Sequence, residues 1–171
     1  HEGISHGNDE TSGLKAHQKT NREVFVNKWA IELQSQYSNS SESVLRTSNR
    51  NTEGRIFVGD YEVPQWDRHS GALRMSRILG ILVELGWQVT FAPGNNHFSE
   101  PYTSELRQQG IEVVGVSESV HTYLKDKGKD FFEVALLSRP EDGSRWLSAF
   151  RTHSPKTKIV YDTVDLHVIR M

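Results

Sequence analysis

Residues 55–93 read "RIFVGDYEVPQWDRHSGALRMSRILGILVELGWQVTFAP" and contain a strand pattern, a helix pattern and a second strand pattern in direct succession. Residues 55–61 are a short β-branched and aromatic run, which predicts a strand. Apolar side chains recur at helical spacing in residues 71–86, and Gly86 follows them where a helix C-cap is expected. With the apolar run at 87–93, this order predicts two parallel strands joined by a right-handed helical crossover.

The same alternation continues to the end of the chain. The further segments are a helix at 101–110, a strand at 111–116, a helix at 120–128, a strand at 131–138, a helix at 143–154 capped by Ser144, and a strand at 157–163. The apolar pair Ile159 and Val160 predicts that the fifth strand is buried. The sequence therefore predicts an α/β, Rossmann-like doubly wound fold, with a mainly parallel sheet of five or slightly more strands and helices on both faces.

The first third of the chain has a different composition. Residues 1–20 lack periodicity and predict irregular structure, whereas residues 21–33 predict a short amphipathic helix with Asn21 as its N-cap. The Ser- and Asn-rich stretch after it is too polar to form a core. We therefore expect an N-terminal segment with a short helix at 1–34, a flexible linker at 35–54 and an α/β domain at 55–171.

Composition excludes several classes of function. A formal net charge of -2 and the lack of a Lys/Arg stripe argue against a nucleic-acid partner, and without cysteine there is neither a disulfide nor a thiolate site. The longest apolar stretch, residues 78–87, contains Glu84 and is far shorter than the roughly 20 residues that span a bilayer. We expect a cytoplasmic protein that does not span the membrane, with peripheral membrane attachment of a longer protein as an alternative.

In sheets of this kind, ligands bind at the carboxyl ends of the strands. Ser70 and Gly71 lie at a helix start, where free N–H groups favour a phosphate or carboxylate, and Asp67 before them is a further candidate for contact with a phosphate-containing ligand or an acceptor. A simple cap by Asp67 or Ser70 explains the same residues. Arg139, after the fourth strand, offers a planar fork of donors to such an anion or is an ordinary solvated loop residue. The glycine-rich motifs of dinucleotide and P-loop sites are absent from the sequence, which disfavours both classes.

Two carboxylates and an imidazole follow the fifth strand. Asp162, Asp165 and His167 stand where a general base or a hydroxyl-binding carboxylate is useful. An architectural reading is equally open, in which Asp162 orients Thr163 or caps a helix that begins near Asp165.

The remaining histidines and tryptophans give weaker signals. His1 and His6 lack a third ligand at metal-site spacing, so we predict no metal site. Trp146 belongs to an amphipathic helix pattern and is predicted to lie in the core. Trp66 and Trp87 flank loops and are candidates for lining a cleft.

Residues 55–171 resemble the N-terminal lobe of a GT-B glycosyltransferase of the family-4 type found in bacterial polysaccharide synthesis. The resemblance rests on "VPQWDRHSGALRM", "ILVELGWQVTFAPGN", "PYTSELRQQGIEVV", "VALLSRP" and "KIVYDTVDLH". Residues 1–34 are similar to the closing segment of a family-2 (GT-A) glycosyltransferase domain, in which "HEGISHG" precedes the "KW" pair.

This resemblance implies part of a multidomain enzyme that transfers sugar from a nucleotide-sugar donor to a growing glycan acceptor. The implied partners are a C-terminal donor-binding lobe and an upstream GT-A domain, and this acceptor-side lobe is expected to be inactive alone and to need no cofactor of its own. The alternative is a non-catalytic α/β binding or scaffold module.

The resemblance also suggests roles for individual residues. It implies that Ser70 and Gly71 approach the donor phosphates, although Ser-Gly stands where Gly-Gly is common. Asp165 matches the aspartate of a family motif, with Val164 where many members have histidine, and His167 lies two positions later. His1 matches a histidine near a metal-bound diphosphate in the family-2 domain.

Overall fold

The computed structural model describes residues 14–37, 47, 52–115, 119–127 and 129–163. Contacts divide the chain into two units, residues 1–50 and 51–171. In the first unit, helix α1 spans Leu14–Lys28 and helix α2 spans Ala30–Gln34. The predicted N-cap at Asn21 is therefore wrong, and so is the irregular structure predicted for residues 14–20, because good helix formers there extend the helix towards the N-terminus. The rest of that predicted irregular segment, residues 1–13, lies outside the described residues.

The second unit alternates strands and helices as the sequence predicts. Its elements are β1 (Gly54–Asp60), α3 (Ser70–Glu84), β2 (Trp87–Pro93), α4 (Tyr102–Gln108), β3 (Glu112–Val113), α5 (Val120–Lys127), β4 (Val134–Ser138), α6 (Pro140–His153) and β5 (Lys158–Asp162). In the part of the chain that the structure describes, no helix combines the length and hydropathy needed to cross a membrane.

All five strands are parallel and form one sheet in the order β3-β2-β1-β4-β5. The chain builds outward from β1 through β2 to β3 and then places β4 on the opposite side of β1. The direction of building changes between β1 and β4, which is the switch point of a doubly wound fold. The predicted α/β, Rossmann-like fold is confirmed.

Alternate residues of β1 supply two cores, one on each face of the sheet. Ile56 and Val58 pack with Met75 and Leu79 of α3 and with Leu106 of α4. Because successive strand side chains point to opposite faces, the residue between them enters the other core.

Phe57 is the centre of that second core and has no exposed surface. Its ring centroid lies 4.6 Å from that of Trp146, 5.2 Å from that of Phe150 and 5.5 Å from that of Phe132. The prediction that Trp146 lies in the core is confirmed, since it is 1% exposed. The aromatic layer fixes α6 against the sheet and so determines where the loop before α6 lies.

Two sequence-based expectations in the last third of the chain are wrong. Helix α6 begins at Pro140, with Arg139 rather than Ser144 at its N-cap, because proline suits the first turn, where its missing N–H costs no hydrogen bond. Strand β5 is mostly exposed, with Val160 at 48%, because it lies at the edge of the described sheet and pairs with β4 alone.

Two glycines give a matched test of this packing. A Cβ at Gly80, inside α3, meets nothing within 4 Å, so Gly80→Ala is expected to raise the free energy of unfolding by about 0.5–1 kcal/mol.

The opposite result is expected at Gly54, where a Cβ would lie 2.7 Å from Trp87 Cζ3. Gly54→Ala is expected to lower the free energy of unfolding by about 1–3 kcal/mol. Urea denaturation measures both changes, and a destabilising Gly80→Ala contradicts the helix environment described here.

Candidate functional site

The carboxyl ends of three neighbouring strands bring charged side chains together. Asp60 ends β1, Arg139 follows β4 and Asp162 ends β5, and these strands are adjacent in the sheet. Arg74 of α3 reaches the same edge through its contact with Asp162. The cluster of Asp60, Arg74, Arg139 and Asp162, called here the crevice cluster, lies at the switch point where ligands of such sheets bind.

The first ion pair of the crevice cluster joins Arg139 to Asp60. Arg139 Nε donates to Asp60 Oδ1 at 3.0 Å, and the same oxygen accepts the Tyr61 backbone N–H at 2.8 Å. The guanidinium also lies 6.0 Å from the centre of the Tyr61 ring. Asp60 is 8% exposed, so the carboxylate is a buried anchor that orients a half-buried arginine.

The second ion pair joins Arg74 to Asp162 through two hydrogen bonds. Arg74 donates from one terminal nitrogen to Asp162 Oδ2 and from the other to Oδ1 at 3.0 Å. This bidentate geometry fixes the guanidinium plane relative to the carboxylate plane. The hydrogen bond with Asp162 raises the pKa of Arg74, burial lowers it by less, and the charges of Asp162 and Asp60 add to the increase. The two ion pairs lie at the carboxyl ends of β1, β4 and β5, which are neighbouring strands of the sheet.

Arg139 has an unusual backbone conformation. Its φ of 67° and ψ of 139° lie in a region that residues with a Cβ rarely adopt. Such a conformation costs roughly 1–3 kcal/mol and persists only where surrounding contacts hold it. The ion pair with Asp60 and the start of α6 at Pro140 are those contacts, so the strain accompanies a precisely placed guanidinium.

His69, and neither Asp67 nor Ser70, caps helix α3. His69 has an extended backbone, and its Nδ1 accepts the Ala72 N–H at 3.1 Å. The expectation of a cap by Asp67 or Ser70 is therefore wrong, because the imidazole already satisfies this free N–H group. Ser70 is left exposed in the first turn of α3, one turn before Arg74 on the same helix face.

Gly71 is partly buried beside the same cap. A Cβ at Gly71 would lie 3.6 Å from His69 Nδ1, an ordinary contact. The space around residue 71 therefore does not by itself require glycine.

The structure does not bring all the predicted site residues together. Asp67 accepts the Tyr102 hydroxyl at 2.6 Å and lies on the α4 side of the loop, away from the crevice cluster. Asp165, His167 and His1 lie outside the described residues.

Of the two candidate cleft tryptophans, one occupies a cleft. Trp66 lines a cavity between α3 and α4. Trp87 begins β2, at the amino end of the strand, and packs beside Gly54 and the first core. Trp87 therefore does not line the cavity that Trp66 lines.

Sequence reasoning missed Arg74 and gave Asp60 no role. The available signal was the spacing of Ser70 and Arg74, which places them four residues apart on one helix face. The role of Arg74 cannot be read from this spacing alone, because only the strand order puts Asp162 within reach of α3.

The crevice cluster has a limited chemical repertoire. Its guanidinium groups bind phosphate or carboxylate oxygens as planar forks, and its carboxylates accept hydroxyl groups. Among the described residues, no group of three or more His, Asp or Glu side chains is arranged to hold a metal ion. No family model, curated protein or solved structure matches the chain.

Proposed function

We propose that residues 55–171 are the acceptor-side lobe of a two-lobed glycosyltransferase that elongates a glycan from a nucleotide-sugar donor. The observation that carries this proposal is the crevice cluster, with two Arg–Asp pairs at the switch point of an all-parallel sheet. Its position and its forked donors suit a ligand that contains both phosphate and hydroxyl groups. The resemblance of this domain to family-4 enzymes supports the same assignment.

The proposal gives the residues distinct roles. Arg139 and Ser70 approach the donor diphosphate, and Asp60 orients Arg139. Asp162 accepts hydrogen bonds from acceptor hydroxyl groups, either beside Arg74 or after releasing it. Asp165, with His167 as the alternative, is the candidate for the reacting centre, by resemblance to the family motif.

The donor is held mainly by a second lobe in this proposal, and the GT-A domain implied upstream is a further part of the same cytoplasmic or membrane-peripheral enzyme. Transfer of a glycosyl group requires exclusion of water, which two lobes achieve when they close around the reactants. A single lobe supplies one wall of such a site. We therefore expect the 171-residue chain to bind nucleotide sugars weakly or not at all and to transfer no sugar.

The test compares this chain with a longer protein expressed from the surrounding coding sequence. Both are incubated with UDP-glucose, UDP-galactose or GDP-mannose and a glycan acceptor, and release of the nucleoside diphosphate and labelling of the glycan are measured. We expect transfer by the longer protein only. Turnover by the 171 residues, or no transfer by the longer protein with any donor, rejects the proposal.

A scaffold module is the second candidate, and one observation favours it. Both arginines of the crevice cluster are already paired with aspartates, which is the arrangement expected if they only tie strand ends and α3 together. Coding sequence that lacks both a downstream donor-binding lobe and an upstream GT-A domain supports the scaffold. Unchanged transfer after separate substitution of Ser70 and Asp165 in the longer protein makes those two residues architectural.

A further inference from the structure

A second candidate site lies between α3, α4 and the loop that precedes α3. It is a cavity of about 310 Å³, at the lower end of the roughly 300–1,000 Å³ typical of small-molecule sites. Its walls include Trp66, Leu73, Ser76, Tyr102, Glu105 and Gln109. The cavity is separate from the crevice cluster, whose residues do not line it.

Trp66 is both exposed and held in a fixed orientation. The side chain is 44% exposed, yet its indole Nε1 donates to Glu105 Oε2 at 2.9 Å. Its ring meets the Tyr102 ring edge to face, with centroids 6.4 Å apart and an interplanar angle of 82°. A large apolar ring is thus kept at the rim of a cavity by a hydrogen bond and an aromatic contact.

Tyr102 is fixed in its turn by Asp67. The Tyr102 hydroxyl donates to Asp67 Oδ1 at 2.6 Å, and the ring is 7% exposed. Asp67 therefore supports the wall of this cavity. Because both rings are oriented before any ligand arrives, little conformational entropy is lost on binding.

The polar groups of the cavity suit hydroxyl groups. Among the described residues, Glu105 Oε1 makes no hydrogen bond, so it remains an acceptor, while the Gln109 amide and the Ser76 hydroxyl both donate and accept. Among the described lining residues there is no lysine or arginine, and the Glu105 charge repels phosphate and carboxylate. Arg68, outside the lining, interacts with Tyr102, and the charge of Asp67 faces it there. These features favour an uncharged ligand with several hydroxyl groups and one apolar face.

We propose that this cavity binds a neutral pyranose ring, which stacks a C–H face on Trp66 and donates hydroxyl hydrogen bonds to Glu105 and Gln109. The electron-rich face of an indole attracts the positively polarised C–H groups of a sugar. The identification of this sugar as part of the acceptor glycan rests on the proposed function, whereas binding itself does not.

The test uses the 171-residue chain labelled with ¹⁵N and titrated with methyl β-D-glucopyranoside or methyl α-D-mannopyranoside. At least one glycoside is expected to shift the Trp66 indole N–H resonance saturably, with a millimolar dissociation constant. Gln109→Ala removes one hydrogen-bonding group and is expected to weaken binding by up to about tenfold. Glu105→Ala also removes the acceptor that holds the Trp66 indole N–H and is expected to weaken binding at least as much. Trp66→Ala, followed through the backbone amide resonances of Glu105 and Gln109, is expected to abolish binding.

Matched controls lie on the same two helices outside the cavity. Gln108→Ala, on α4, and Glu84→Gln, on α3, change exposed side chains and should leave the dissociation constant unchanged. Thermal unfolding is measured for every variant. If Trp66→Ala does not fold, the Glu105 and Gln109 variants decide the result.

Three results overturn the inference. The first is the lack of a saturable Trp66 shift with either glycoside. The second is an unchanged dissociation constant in both Glu105→Ala and Gln109→Ala. The third is tighter binding of choline than of either glycoside, because the same aromatic and acidic groups would hold choline as a cation. Sugar binding without transfer by the longer protein rejects the proposed function and keeps the cavity as a sugar site. Transfer without binding at Trp66 rejects the cavity alone.

Discussion

Phe57→Ala is expected to lower the free energy of unfolding by about 3–5 kcal/mol, the usual cost of truncating a buried aromatic residue. Phe57 has no exposed surface and contacts the rings of Trp146, Phe150 and Phe132. The substitution removes apolar contacts and leaves a cavity that the rigid sheet cannot close. Since small domains are typically stable by only about 5–15 kcal/mol, this loss is a large share of the total stability.

The measurement is urea denaturation followed by far-UV circular dichroism. Phe98→Ala is the matched control, because Phe98 belongs to the same unit and is 42% exposed, so its truncation should lower the free energy of unfolding by less than about 1 kcal/mol. A loss below about 1 kcal/mol for Phe57→Ala contradicts an aromatic core at this position.

On the proposed function, Arg139→Gly is expected to reduce glycosyl transfer by the longer protein about 100-fold. This is the smaller of the usual losses in rate when one donor that stabilises transition-state charge is removed. The free energy of unfolding is expected to fall by about 1–3 kcal/mol, because the buried Asp60 carboxylate loses its guanidinium partner. Glycine relieves the cost of the positive φ and offsets part of that loss.

Two further substitutions separate the guanidinium from the backbone. Arg139→Ala should lose the same activity but unfold more easily than Arg139→Gly, because alanine keeps the strained φ. Arg139→Lys keeps the charge without the planar fork, so its activity should lie between wild type and Arg139→Gly. Steady-state transfer rates and urea denaturation are compared for all three variants. Wild-type transfer by Arg139→Gly contradicts the proposed role and favours the scaffold.

The fold was predictable because each level of the sequence indicates the same structure. The helix in residues 71–86 has one apolar face, both flanking strands are apolar, and Gly86 ends the crossover with a φ of 82° that glycine adopts readily. Local pattern and tertiary packing agree there, so prediction and observation differ by only a residue or two at each boundary.

The candidate site was predictable only in part. Arg139 and Asp162 follow strands, and strand ends are recognisable from sequence. The pairing of Arg74 with Asp162 depends on the lateral order of strands, which alternation along the chain does not determine. The exposure of Val160 has the same cause, since only the sheet order makes β5 an edge strand.

Two local errors have different origins. The sequence does not indicate His69 as the cap of α3, because Ser, Thr, Asp and Asn are the usual N-cap residues and Asp67 and Ser70 lie nearby. The start of α6 at Pro140 has a signal, since proline favours the first helical position, but Ser144 is the more usual kind of N-cap residue.

The central position of β1 has a consequence for the order of folding. Ile56 pairs with Val89 on one side and with Val134 on the other, and the second partner is much farther along the chain. Closing the longer loop costs more entropy, and synthesis from the N-terminus delivers the nearer partner first. In a nascent chain, β1 can therefore pair with β2 first. The backbone N–H and C=O groups on its other edge have no strand partner until β4 has been synthesised.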